Sequence, residues 1–94
     1  MLISNKIYRI DYNIICHNNN SDIISHLFIN SFYIEPMYRS RGYSRRILKD
    51  LQYKKYDNIL IFLECWPTLL KYYKHLEFVE ISRTYDGYIE MMRK

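Results

Sequence analysis

Residues Ile59-Leu60-Ile61-Phe62-Leu63 form an unbroken apolar run with an amphipathic helical pattern on either side. A short run of this kind reads as a strand buried on both faces, the environment of a parallel pairing. A tight turn cannot join parallel neighbours, so the helix before the run must cross over the sheet. That helix is predicted from Tyr43 to about Lys54, with Tyr43, Ile47, Leu48 and Leu51 on its inner face. The helix after it starts at Pro67, which suits a first turn, and presents Leu69, Leu70, Tyr73 and Leu76 to the core.

Strands flank this centre. Lys6 to His17 alternates Ile7, Arg9, Asp11 and Asn13 with Tyr8, Ile10, Tyr12 and Ile14, the period of a half-buried strand. Asn18-Asn19-Asn20-Ser21-Asp22 is turn-forming, and a second strand runs from Ile23 to about Glu35, with a bulge expected near Asn30-Ser31. Pro36 stops it. Phe78 to Arg83 is a strand, Asp86-Gly87 signals a hairpin, and Tyr88 to Met92 returns antiparallel. The expected order is β-β-α-β-α-β-β, a mixed and mostly antiparallel α/β sheet with two helices in a single domain, residues 1–94.

The chain carries 14 basic and 10 acidic residues, a net charge of +4, and is 49% hydrophobic, a composition that excludes a disordered tail. No apolar run reaches the roughly 20 residues of a membrane span, and the N-terminus has no signal-peptide pattern. A soluble, cytoplasmic protein that avoids membranes is expected. Cys16 and Cys65 are read as buried thiols, and His17, His26 and His75 lack metal-ligand spacing, so no metal is expected. Ile, Asn, Lys and Tyr are abundant and Ala is absent, a bias that points to an AT-rich genome such as that of a virus or phage.

The segment Met37-Tyr38-Arg39-Ser40-Arg41-Gly42-Tyr43-Ser44 joins a strand to a helix N-terminus and holds one of only two glycines. Free N–H groups, a positive dipole end, a glycine that lets the backbone approach closely and flanking arginines together suit a phosphate. A solvated basic turn that caps the helix accounts for the same residues.

The stretch from Ile34 to Ser44 resembles the signature of the GNAT superfamily of N-acetyltransferases, hydrophobic-x-Pro-x-Tyr-Arg/Gln-x-x-Gly-x-Gly/Ala. Arg39 and Gly42 match it and Ser44 replaces a small residue. Leu70 to Phe78 resembles the end of the family's last helix, with Tyr73 on its tyrosine position and Glu77 in place of a glycine. The final hairpin is similar to the family's last strand, and the resemblance covers about Lys6 to Lys94. It implies that Arg39, Ser40, Arg41, Gly42, Tyr43 and Ser44 wrap the pyrophosphate of acetyl-CoA. Main-chain N–H groups around Tyr33 and Ile34 would hold the oxyanion. The family usually begins with a strand and two helices that wall the acceptor cleft, whereas this chain reads as starting near the second strand. It is therefore expected to be a minimal, N-terminally shortened core, its acceptor site either open or completed by another copy in a homodimer.

Transfer to an amine needs a base for the ammonium proton and an acid for the leaving thiolate. The segment Phe62-Leu63-Glu64-Cys65 resembles that of ribosomal-protein N-terminal acetyltransferases, which implies Glu64 as base; a strand-end carboxylate paired with Lys or Arg is the alternative. Glu35 is in reserve, and Phe28 occupies the family's other base position and cannot act. Tyr73 is the implied acid, with Tyr72 as substitute if the register differs, and packing on the core is its other reading. The expected activity is acetyl-CoA-dependent N-acetylation of an amine, with a protein lysine or N-terminus favoured because an open cleft suits a bulky acceptor. Two further readings stand: a catalytically inactive fold that binds acyl-CoA or a protein, and a small basic nucleic-acid module, which the dispersal of the eleven tyrosines disfavours.

Overall fold

The computed structural model describes residues 1–19 and 22–94. Six strands form one sheet: β1 (Leu2–Ser4), β2 (Tyr8–Asn19), β3 (Asp22–Ile34), β4 (Leu60–Cys65), β5 (Val79–Arg83) and β6 (Ile89–Arg93). Their spatial order is β1-β2-β3-β4-β6-β5, and only β3 and β4 run parallel. The first helical segment is α1 (Tyr43–Lys49), continued by a π-helical stretch over Asp50–Lys55; the second, α2 (Leu70–His75), follows a 3-10 turn at Pro67–Leu69. As the apolar run of Ile59 to Leu63 requires, α1 is the crossover between the parallel strands. The chain from β4 through α2 reaches the far edge, and β6 fills the gap left between β4 and β5.

Alternation along the strands decides where the core lies. Ile10 and Tyr12 of β2, Leu27 and Ile29 of β3, Ile61, Leu63 and Cys65 of β4, and Ile89 and Met91 of β6 are all buried. They form one cluster with Leu48, Leu51, Tyr73 and Leu76, so both helices cover the same sheet face. The opposite face carries Glu64, Trp66, Tyr88 and Glu90.

The bulge falls where expected. Asp11 pairs with Ser31 and Tyr12 with Ile29, leaving Asn30 as the extra residue. The closing hairpin turns at Gly87, whose φ is +92°, while Thr84 Oγ1 donates to Asp86 Oδ1 at 2.6 Å. The turn expected at Asn18 to Asp22 includes Asn20 and Ser21, which lie outside the described residues; β2 and β3 pair up to Asn19↔Asp22.

Several expectations change. A short strand precedes the one read from Lys6: β1 lies antiparallel to β2, and Asn5–Ile7 connect them, folded by Asn5 Oδ1 accepting from the N–H groups of Ile7 and Tyr8. The helix predicted to Lys54 widens after Lys49 because Leu51 and Gln52 are both buried, and a wider turn lets adjacent residues face inward. Gln52 donates to the carbonyls of Ile59 (2.8 Å) and Arg93 (3.0 Å) and accepts from the Arg93 guanidinium. Finally, Glu77, in place of the glycine of the resemblance, sits in the turn after α2. It adopts the left-handed conformation of a glycine, φ +70°, and its carboxylate meets Arg93 at 3.3 Å. Cys65 is buried as expected, but Cys16 is exposed, within 3.3 Å of Ser25 Oγ.

Candidate functional site

β3 and β4 pair only from His26↔Leu60 to Ile29↔Leu63. Beyond that point β3 stays with β2 as far as Ile34, while β4 stays with β6 through Cys65, so the parallel pair opens. The bulge at Asn30 sits at the point of divergence and turns β3 away, a usual role for an extra residue beside a site.

In an antiparallel ladder, residue pairs alternate between exchanging both hydrogen bonds and exchanging none. The Glu35 N–H bonds Ile7 O at 2.8 Å, so Arg9/Tyr33 is also a bonded pair and the main chain of Ile34 points into the opening. Of the two positions expected to offer an oxyanion donor, Ile34 therefore can, and Tyr33 has its N–H turned to β2. Ile34 O, on the open side, accepts from Arg39 Nε at 2.8 Å.

Pro36 ends β3 and starts a 3-10 turn, Pro36–Tyr38, closed by Arg39 N–H to Pro36 O at 3.2 Å. Gly42 then caps α1 with φ +80°, and a Cβ there would meet nothing within 4 Å. Conformation, not space, is what requires glycine at this position. Arg46 N–H bonds Gly42 O, and no side chain caps the helix. Among the described residues, the N–H groups of Tyr43, Ser44 and Arg45 have no partner outside the helix, the usual state of a first helical turn.

These elements and α2 enclose a groove of about 810 Å³. Tyr33, Ile34, Arg39, Ser40, Gly42, Tyr43, Ser44 and Tyr73 all line it. Arg41 does not, and neither does Glu64. Arg39 is partly committed to the scaffold, since its Nε bonds Ile34 O and its guanidinium lies 5.1 Å over the Tyr33 ring. Ser44 does more than stay small: its hydroxyl lies 2.8 Å from Tyr72 Oη, tying the start of α1 to α2. Arg45, one of the arginines flanking the loop, makes a second tie through His75 O at 2.8 Å. With its hydroxyl bound to Ser44, Tyr72 serves as a wall of the groove.

Tyr73 is buried against Tyr72 and Phe78, with ring centroids at 5.1 and 5.5 Å. Burial, and then the neighbouring Tyr72 and Cys65, push its phenol up to about 12, so it stays protonated throughout the physiological range. It is both a core residue and a groove residue.

Glu64 follows Leu63 on β4 just past the divergence. Ile61, Leu63 and Cys65 are buried under the helices, so Glu64 projects from the uncovered face and is exposed. Its cross-strand partner is Glu90, held by Ser82 Oγ at 2.8 Å. Among the described residues no Lys or Arg forms an ion pair with Glu64, so the expected alternative role is not found. Tyr73 and Glu64 thus stand on opposite sides of the opened sheet. No cluster of potential metal ligands occurs among the described residues, and no helix is long and apolar enough to cross a membrane.

No family model matches the chain, and no curated protein matches it. Solved structures do. One, described as a bacterial toxin, superposes with a TM-score of 0.65 at 16% identity, over 93% of this chain and 59% of that one. Another is a mutant of the toxin AtaT bound to the C-terminus of the antitoxin AtaR and acetyl-CoA, with a TM-score of 0.54 at 10% identity, over 92% and 58%. The chain therefore spans about three fifths of the length of these neighbours. At such identities the likeness speaks for the fold: this is a mixed α/β, GNAT-like sheet with two helices.

Proposed function

We propose that the chain is an acetyl-CoA-dependent N-acetyltransferase whose acceptor is an amine on a protein, a lysine side chain or an N-terminus. The observation that carries this reading is the groove itself. It joins a glycine-capped helix start to the opened strand pair and ends at a buried, protonated phenol. The N–H groups of Tyr43, Ser44 and Arg45 and the charge of Arg39 suit a diphosphate. A neighbour of the same fold, solved with acetyl-CoA, supports the choice of cofactor.

Acetyl-CoA supplies an activated acyl thioester. The residues of the chain do the rest. Ile34 N–H faces the opening, where a carbonyl oxygen gaining charge is stabilised. A lysine amine has an ordinary pKa of about 10.4, so losing its proton at pH 7 costs on the order of 4–5 kcal/mol. Glu64, on the uncovered face, takes that proton directly or through water as the amine arrives from its side. Tyr73 donates a hydrogen bond to the departing sulfur from the groove side. The uncovered face leaves room for a macromolecular acceptor.

Calorimetric titration with acetyl-CoA, followed by mass spectrometry of a lysine-containing peptide, tests the proposal. Saturable binding and acetylated peptide are expected, both weakened by Gly42→Asp. Absence of binding overturns the proposal. Binding without transfer to any peptide amine assigns an acyl-CoA-binding module instead.

A further inference from the structure

A second cavity, of about 510 Å³, lies on the far side of α1 from the groove, between the helix and the β1 edge of the sheet. Its apolar lining comes from Ile3, Ile10, Ile47 and Leu51. Three cations, Arg46, Lys54 and Lys55, stand around it with a single anion, Asp50, which is paired with Lys54 at 3.5 Å. Arg46 and Lys55 lie over the rings of Tyr43 and Tyr56 and form no ion pair among the described residues. The lining is thus apolar with a net positive rim.

The edge beside it is open. Among the described residues, β1 pairs with β2 alone and is the last strand on its side of the sheet. Tyr12 N–H bonds Met1 O, and Asn5 N–H bonds Tyr8 O. With the register Leu2↔Asp11, Ile3↔Ile10 and Ser4↔Arg9, the bonded pairs are therefore at Met1, Ile3 and Asn5. The N–H and C=O groups of Leu2 and Ser4 point outward, away from the sheet. A strand added there would place alternate side chains on the same face as Ile3, above the cavity.

We infer that this edge is a docking site for an extended peptide segment of a protein partner, with an apolar and an acidic residue two positions apart. The peptide main chain pairs with Leu2 and Ser4, the apolar side chain enters the cavity, and the carboxylate meets Arg46 or Lys55. The apolar lining and the cationic excess at the rim together select that pattern over a neutral or basic strand.

The test is an amide-resolved NMR titration of the full chain with the capped peptide acetyl-Thr-Leu-Thr-Glu-Thr-amide. Saturable shifts at Leu2, Ser4, Ile47 and Leu51 are expected. Ser4→Pro removes one outward N–H while leaving the β1–β2 ladder intact, and should weaken binding at least tenfold. The pair Arg46→Glu, Lys55→Glu should do the same without touching β1, and so serves if the proline variant fails to fold. Three outcomes overturn the proposal: no shift at Leu2 and Ser4, an equal response to acetyl-Thr-Leu-Thr-Lys-Thr-amide, or sedimentation showing that a second copy of the chain already fills the edge.

Discussion

Burial decides what Tyr73 contributes. A phenol at about 12 facing a thiol whose ordinary pKa is about 8.5 would give up its proton only at a cost of roughly 5 kcal/mol, so in the proposed reaction its part is a hydrogen bond to the sulfur as charge develops. Tyr73→Phe should lower kcat by about 10²-fold and leave the KM for acetyl-CoA within twofold, as steady-state kinetics would show. The same shift has a stability consequence. The folded pKa lies above the unfolded value near 10, so the associated stability is fully present below pH 10 and is lost as pH rises towards 12. Two units correspond to about 2–3 kcal/mol, and Tyr56, also raised by burial and by its bond to Tyr12, acts in the same direction. Urea midpoints at pH 9 and pH 11 should converge in Tyr73→Phe relative to the parent. Glu77 offers a second residue-scale test: at φ +70°, Glu77→Gly should be more stable than Glu77→Ala by about 1 kcal/mol, since both lose the Arg93 contact and only one keeps the strain. The glycine expected by resemblance was absent from the sequence, and what holds a glutamate in its place is an arginine 16 positions away.

The widened turn after α1 belongs to the scale of elements. Gln52 joins the helix to the loop before β4 and to the end of β6, while Arg93 Nε reaches Leu76 O at 2.9 Å and so adds the end of α2. Removing Gln52 leaves one donor of the buried Arg93 guanidinium unsatisfied while Leu76 O and Glu77 still hold it, so Gln52→Leu should cost about 1–3 kcal/mol. The double variant Gln52→Leu, Arg93→Met should cost less than the sum of the single changes, by 0.5 kcal/mol or more in denaturant unfolding. Local pattern revealed the elements that depend on local pattern: the alternation of β2, the stop at Pro36, the apolar run of β4 and the Asp86-Gly87 hairpin. It could not reveal the π-helical turn, whose cause is a partner 41 residues away, or β1, whose three residues carry no period. The loop proposed to hold the cofactor was legible because strand end, Arg39 and Gly42 are contiguous. The ties of Ser44 to Tyr72 and of Arg45 to His75 were not, because they join helices that only the folded sheet brings together.

At the scale of the whole molecule, net charge and main-chain donors are two separate forces that could hold the proposed polyanionic cofactor in the groove. The chain carries +4, and Arg39 and Arg45 line the mouth. Two contributions can be separated by salt. Long-range attraction is screened beyond a Debye length of about 10 Å at 0.1 M, whereas hydrogen bonds from the main chain at the start of α1 are made in contact and survive. If the amides do most of the holding, raising salt from 50 to 200 mM should weaken acetyl-CoA binding by no more than about tenfold in calorimetry. A surface that works by neutralising a string of phosphates behaves differently: six to ten such contacts lose about 10³–10⁵ in affinity over the same interval. A single titration series at two salt concentrations, run with acetyl-CoA and with an oligonucleotide, therefore distinguishes the enzyme from the nucleic-acid module. The expected result is a shallow slope for the cofactor and negligible oligonucleotide binding at 200 mM. A steep slope for both ligands would mean that the arginines act as a charged surface and that the glycine-capped turn is only a connection between β3 and α1.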